Sequence, residues 1–177
     1  MPDYSSCSIA SGYTKSCRDS IGGIKTIYLT EQANKSTLTH ASALISAFTL
    51  STGKKFWTYE VEQGTATASD DPQPNASNGS LFYSHKVSMP IVKRSATSSH
   101  VFKMIAATDI MVIVLDQNGN YWLLGQGNGL KMQPSTAPFG TAMGDVNGYN
   151  LVFEGMDQYT ALQVPSNLIA TLTAPAA

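Results

Sequence analysis

The side chains that could perform acid–base or metal chemistry are few in this sequence and lie far apart. His40, His85 and His100 fall in separate stretches, and none has a carboxylate or cysteine at the spacing of a zinc site. Serines are plentiful, but none stands in the G-x-S-x-G turn that presents a nucleophile. No pair of groups can be assigned the roles of acid and base, so we predict no catalytic residue, no bound metal and no enzymatic activity.

Three short motifs begin like ligand-binding loops, and all are incomplete. The run Gly125-Gln-Gly-Asn-Gly129 lacks the GxGxxG spacing and does not open a helix whose N-terminus could hold phosphate. Asp116-Gln-Asn-Gly119 and Asp145-Val-Asn-Gly148 start like calcium loops but lack the alternating oxygen ligands and the final glutamate. A flexible connection and two turns account for them, so we predict no cofactor.

Two remaining pairs of reactive side chains have simple explanations. Glu60 and Glu62 are two residues apart and project from one face of a predicted strand, as they would on an exposed face or on the wall of a pore. Cys7 and Cys17 could close a small loop, but one pair in a domain of this size is not a disulfide framework. Free thiols are favoured, and pairing of the two cysteines stays open.

The composition describes a neutral, β-rich domain. The 177 residues include 42% hydrophobic residues, which excludes disorder, and only 13% charged residues. The net charge of -1 gives no electrostatic footprint for gripping nucleic acid or anionic lipid. No apolar run reaches the length of a membrane span, and the first residues do not resemble a signal peptide. We therefore expect a soluble protein that is not secreted by a signal peptide.

The elements that must position any site are mainly strands. Ser and Thr make up roughly a fifth of the chain and favour strands and turns over helix. One segment, from Ser95 to Asp109, has helical spacing of apolar residues, with Ser98 or Ser99 as N-cap. The predicted strands are Ile24–Thr30, a weak one over Ala43–Leu50, Ile110–Leu115 turning at Asn118-Gly119 into Tyr121–Leu124, and Tyr149–Glu154. The tail after Pro165 is predicted as a short edge strand or a docking segment.

The stretch from Phe56 to Val92 predicts a long protruding hairpin. Trp57, Tyr59 and Val61 alternate with polar residues, as in a strand with one buried face. A breaker-rich tip from Asp70 to Gly79 follows. The outgoing strand continues through the small residues Gly64, Thr65, Ala66, Thr67 and Ala68, and the returning strand places Leu81, Tyr83, His85, Val87 and Met89 on one face.

Such a hairpin gains little from burial within one chain, because its far half carries only small and polar side chains. A neighbouring copy that adds its own hairpin would satisfy the unpaired backbone groups, and closure into a ring would remove the free edges. An ordinary meander with an irregular loop is the alternative. We predict an N-terminal arm (1–20), a single β-sandwich or barrel domain with one α-helix (21–165) that includes the hairpin (56–92), and a C-terminal tail (166–177).

This order of elements resembles the tail tube proteins of tailed bacteriophages. The resemblance covers about Ile21 to Phe153 and rests on the strand, the long hairpin, the single helix, the second hairpin and the closing strand in that order. The segments Ser20-Ile-Gly-Gly-Ile-Lys-Thr-Ile-Tyr-Leu29 and Gly140-Thr-Ala-Met-Gly-Asp-Val-Asn-Gly-Tyr149 are also similar to short stretches of phage virion structural proteins.

The resemblance implies a self-assembling subunit of the virion tail, made in the host cytoplasm. In that family, stacked and usually hexameric rings build an inner β-barrel from their hairpins, around a channel through which DNA passes. It implies that the hairpin residues named above mediate self-assembly and that Glu60 and Glu62 are candidates for the lumen. Contacts with the next ring would involve Asp70, Asp71, Asn75 and Asn78. The implied partners are further copies, other tail proteins and DNA that passes without tight binding, with no membrane and no cofactor.

Two alternatives follow from the same residues. The chain could be another virion β-sandwich, such as a tail connector or a head decoration protein. It could instead be a carbohydrate-binding sandwich whose exposed aromatic rings stack on sugars. The stacking platform would consist of Trp57, Tyr59, Tyr83, Trp122 and Tyr149.

Overall fold

The structure, a computed structural model, describes residues 12–14 and 18–174 and is mainly β, as predicted. Cys7, Cys17 and most of the N-terminal arm lie outside the described residues. The strands are β1 Ile24–Glu31, β2 Lys35–Ala41, β3 Leu44–Leu50, β4 Trp57–Glu60, β5 Thr67–Asn75, β6 Ser80–Val92, β7 Ile110–Asp116, β8 Tyr121–Leu124, β9 Lys131–Met132, β10 Gly148–Asp157 and β11 Leu162–Val164. The helices are α1 Ala96–Ala106 and α2 Ser166–Thr173, with one turn of 3-10 helix at Gln32–Asn34.

The strands form two sheets. The seven-stranded sheet has the order β2-β3-β11-β8-β7-β1-β4, and the four-stranded sheet has the order β5-β6-β10-β9. All neighbours are antiparallel except β11 and β3. A core of apolar side chains from β1, β6, β7, β10 and α1 lies between the sheets, so the fold is a sandwich with a helix packed at one side.

Strand β7 explains why the seven-stranded sheet is buried on both faces. Ile110, Val112 and Val114 point into the core between the sheets. Met111 and Ile113 point the other way, into a second cluster that includes Ile169 and Leu172 of α2. A strand that is covered on both faces needs apolar residues at every position, which explains the continuous apolar run in the sequence. The predicted buried strand is therefore confirmed, and so is the turn that leads into β8.

The hairpin differs from the prediction in its first strand. Residues Trp57–Glu60 pair with β1 in the seven-stranded sheet, and the partner of β6 is instead Thr67–Asn75. The turn is Ala76–Gly79, so most of the predicted tip is strand. The chain therefore crosses from one sheet to the other where the sequence suggested one continuous strand.

The prolines within β5 explain why this strand was mistaken for a loop. Pro72 and Pro74 have no N–H, so both must face away from β6, at the free edge of the sheet. Proline is tolerated at such positions. Because β10 pairs with β6 only as far as Tyr83, the part of the hairpin beyond that ladder is Gln73–Phe82, much shorter than predicted.

The two helices differ in how well the sequence predicted them. Helix α1 is confirmed, but its N-cap is Ser95, which exchanges hydrogen bonds with Ser98 in a capping box. The tail after Pro165 is a helix, α2, and does not form an edge strand. It docks on the seven-stranded sheet through Ile169 and Leu172. Neither helix has the length and hydropathy needed to cross a membrane, within the residues described.

Candidate assembly surfaces

The residues predicted to mediate self-assembly are divided between the two sheets. Trp57 and Tyr59 lie on β4, at one edge of the seven-stranded sheet. Val61 follows β4 and packs on the core, and Gly64 and Thr65 form a turn toward the other sheet. Ala66 is buried beside that core, and Thr67 and Ala68 are exposed at the start of β5.

The side chains predicted to share one face of β6 do share it, but this face packs into the core of the same chain. His85, Val87 and Met89 are fully buried between the sheets. Leu81 and Tyr83, nearer the turn, are partly accessible. Three of the five predicted assembly residues on β6 are therefore unavailable to a partner, which corrects the prediction for them.

His85 and Asp70 form a buried polar cluster that ties the hairpin to two loops. His85 Nε2 lies 3.1 Å from Asp70 Oδ1, and the Gly125 N–H donates to His85 Nδ1 at 3.1 Å. The second oxygen of Asp70 accepts from Thr160 Oγ1 at 2.6 Å and from the Ala161 N–H at 2.8 Å. His85 is 1% exposed, so the fold encloses its ring and leaves it no open path to a substrate.

Of the four residues predicted to contact the next ring, one is largely buried and three are exposed. Asp70 is committed to the buried cluster, so its assignment as an inter-ring contact is corrected. Asp71 is exposed and accepts from Ser69 Oγ. Asn75 ends β5 and Asn78 lies in the turn, both are exposed, and their side-chain oxygens accept hydrogen bonds from Ser77 and Ser80 respectively. These bonds fix the shape of the turn and leave its surface uncharged.

The edge of β4 borders a groove of about 580 Å³ between this strand and α1. The Trp57 side chain is 61% exposed there, with Lys55 Nζ 4.3 Å from its ring centre. Met104 of α1 is 56% exposed on the opposite wall. Tyr59 lies deeper, and burial raises the pKa of its phenol. The period-two pattern predicted one buried face for Trp57, Tyr59 and Val61, whereas Trp57 faces solvent.

The two candidate lumen carboxylates are exposed but lie on different elements. Glu60 ends β4, opposite Thr26 of β1, and Glu62 is in the connection that follows. They are therefore not neighbours on one strand face, as the spacing predicted.

The glycine-rich run after β8 is a packed connection. The Gly127 N–H donates to Asp157 Oδ2 at 2.7 Å, and the Gly125 N–H is used by His85. A Cβ at Gly127 would collide with the Asp157 carboxylate. The backbone N–H groups of Gly125 and Gly127 are therefore not available to bind a phosphate. The run is a connection, as predicted, but its hydrogen bonds hold it in place and it is not flexible.

The two motifs that resemble calcium loops are turns. Asp116 accepts from the Asn120 N–H at 2.8 Å and from Trp122 Nε1 at 3.2 Å. Burial raises the pKa of Asp116, but these hydrogen bonds outweigh it, so the pKa lies below its ordinary value. Asp145 accepts from the Thr141 and Ala142 N–H groups, which lowers its pKa. Residues 12–14 and 18–174 contain no cluster of three ligands suited to a metal ion.

The five aromatic residues of the carbohydrate hypothesis do not meet. They lie on β4, β6, β8 and β10, in both sheets. Tyr149 is buried with its ring centre 4.7 Å from that of Phe102, and Trp122 is engaged with Asp116. Among the ring contacts of the described residues, none joins two of the five.

A second apolar surface was missed by sequence reasoning. The loop of residues 133–147 between β9 and β10 exposes Phe139, Met143 and Val146. The Arg94 guanidinium lies 3.8 Å from the centre of the Phe139 ring. The signal in the sequence was a stretch with a single charged residue, Asp145, that includes large apolar residues among Gly and Pro, where a loop is normally polar.

Comparison of the chain with protein-family models, with curated proteins and with solved structures found no match in any of the three.

Proposed function

We propose that this protein is a virion structural subunit that self-assembles into stacked rings, and that the rings form a phage tail tube through which DNA passes. The mainly β two-sheet fold, the β5–β6 hairpin that extends beyond the β10 ladder, and the neutral composition support the proposal. The family is proposed from the resemblance of the sequence to tail tube proteins, with the correction that Trp57–Glu60 belongs to the other sheet and not to the hairpin.

The observation that carries the proposal is the open edge of β4. Within the described residues β4 pairs with β1 alone, and the segment Trp57–Glu60 contains neither proline nor lysine. An edge strand without these protective features is a template for another chain. Trp57 stands exposed beside the edge, where burial by a partner would remove a large apolar surface from water.

The edge of the four-stranded sheet is less suited to this role. Its outer strand β5 lacks two backbone donors, at Pro72 and Pro74. At the opposite edge, β9 is only two residues long. The other edge of the seven-stranded sheet, β2, begins with Lys35, one of the residues that protect an edge. We place the main ring contact at β4 and leave the hairpin turn as the contact with the next ring.

A contact between the β4 edge and a different surface of the next copy is heterologous. Repetition of such a contact closes into a ring when the rotation permits it, and otherwise continues as a filament. Either product is the kind of assembly from which a tube is built.

The test is Trp57→Lys, which places a charge on the proposed contact. The monomer should stay folded because Trp57 is mostly exposed, and self-association should weaken at least tenfold by sedimentation velocity. Met156→Lys is the matched control, since Met156 is 62% exposed on β10 of the other sheet. Equal association of the two variants would remove β4 from the assembly, and a wild type that stays monomeric at all concentrations would contradict the proposed function.

A further inference from the structure

We propose that the loop of residues 133–147 of one copy inserts into the groove between β4 and α1 of the next copy. The inference rests on the proposed self-assembly and names the two surfaces that meet. We call the loop the knob and the groove the socket.

The knob exposes apolar side chains that the fold itself leaves uncovered. Phe139 is 75% exposed, Met143 is fully exposed and Val146 is more than half exposed. Val92 is also exposed, next to the base of the loop, where the Lys93 N–H donates to the Asn147 carbonyl. Several large apolar side chains exposed on one loop are typical of an interaction site.

The knob is held in one shape. Asp145 Oδ2 accepts from the Thr141 N–H at 2.7 Å and from the Ala142 N–H at 2.8 Å. Arg94 Nη1 donates to the Ala137 carbonyl while the guanidinium stacks on Phe139. An apolar loop that is already ordered loses little entropy when it docks.

The socket is lined largely by apolar side chains and has room for side chains of the knob. Its floor consists of Leu29, Val101, Ile105 and Ile110. Its volume of about 580 Å³ exceeds the roughly 150 Å³ in which a buried cavity admits one benzene ring. The socket can therefore receive an aromatic ring together with a second side chain.

The charges of the two surfaces are complementary. Asp145 is the single charged residue of the knob, and its lowered pKa keeps it ionised at neutral pH. Lys54 and Lys55 line the socket, and neither forms a salt bridge within the part of the chain that the structure describes. Glu31 is the one carboxylate among the lining residues, so the socket carries a net positive charge that is complementary to the Asp145 carboxylate. Arg94, which packs on Phe139, places its own positive charge beside the knob.

The knob and the socket are built from different residues of the chain. The knob is anchored at Arg94, just before α1, whereas the socket is lined by residues of the middle and the C-terminal end of that helix, from His100 to Thr108. Different surfaces meeting in this way give a head-to-tail contact, in agreement with growth into a ring.

Three exposed methionines provide a matched test. Met143→Glu disables the knob, Met104→Glu disables the socket, and Met156→Glu is the control on a distant strand. Thermal unfolding should give the same midpoint for all three variants as for the wild type. In sedimentation velocity, the first two variants should self-associate at least tenfold more weakly, and Met156→Glu should assemble like the wild type.

The decisive sample is an equimolar mixture of Met143→Glu and Met104→Glu. The intact knob of the Met104→Glu variant can enter the intact socket of the Met143→Glu variant. The dimer then offers only a disabled knob and a disabled socket, so the mixture should form a 1:1 dimer that does not grow. A mixture that stays monomeric, or a Met143→Glu variant that assembles like the wild type, overturns the inference. Rings formed by the wild type and by both variants would overturn it and leave the proposed function standing, whereas a monomeric wild type would contradict both.

Discussion

The cluster around Asp70 holds the hairpin to the rest of the fold. Its carboxylate faces His85 and accepts from Thr160 and Ala161, whose donors have no other described partner. Asp70→Ala should lower the free energy of unfolding by about 2–4 kcal/mol, because it leaves these donors unsatisfied in a largely buried site. Asp71→Ala, at the exposed neighbouring position, should change it by less than about 0.5 kcal/mol. Urea denaturation of both variants measures the difference, and equal midpoints would contradict the structural role of the cluster.

Asp116 makes the stability depend on pH in the acid range. Its pKa in the fold lies below the ordinary 3.8, because the hydrogen bonds from Asn120 and Trp122 favour the carboxylate. A carboxylate with a lowered pKa contributes stability above its unfolded pKa, and this contribution disappears as the pH falls through the folded value. Wild type should therefore lose stability below about pH 4.

The Asp116→Asn variant should show a shallower loss over the same range, and Glu62→Gln should retain the slope of the wild type. Thermal unfolding between pH 2 and 6 provides the measurement. An unchanged slope in Asp116→Asn would show that these hydrogen bonds do not carry the dependence.

At the scale of elements, Pro72 and Pro74 protect the free edge of β5. Both positions face outward, and without proline each would present an N–H to solvent. The double substitution Pro72→Thr/Pro74→Thr should therefore restore two donors and promote edge-to-edge aggregation, seen as a rise in static light scattering over hours. Gln73→Thr is the control, since position 73 faces β6. Solubility equal to that of the wild type would show that the prolines do not guard this edge.

The sequence was most informative where a strand is buried on both faces. The apolar run from Ile110 to Leu115 and the Asn118-Gly119 turn required no tertiary information, because burial and turn chemistry agree locally. The alternation along β6 likewise predicted its buried face correctly.

Other elements depend on contacts that are distant in sequence. A period of two shows that Trp57–Glu60 is extended, but it does not show that the partner is β1. Helix α2 has eight residues, too few for an independent helical signal, and it is held by packing of Ile169 and Leu172. The socket arises only when α1 is placed beside β4, so no local pattern predicted it.

The whole molecule has a surface of low charge, which suits a channel that must not retain DNA. The net charge is -1, and charged residues make up 13% of the chain. With eleven Lys and Arg against twelve Asp and Glu, the chain has no excess of positive charge to drive binding to the phosphate backbone by counterion release. We expect affinity for duplex DNA weaker than about 100 µM at low salt, measured by fluorescence anisotropy of a labelled duplex. Binding in the low micromolar range would contradict a role as a passive conduit.

The central claim is that many copies of this chain build a hollow tube. Electron microscopy of purified protein, concentrated and incubated for days, tests it most directly, with mass photometry of the same sample to count the subunits in each ring. We expect rings of uniform size that stack into tubes with an open centre. Particles that remain monomeric at every concentration, and that are retained on immobilised glycans, would contradict the claim and favour a carbohydrate-binding module.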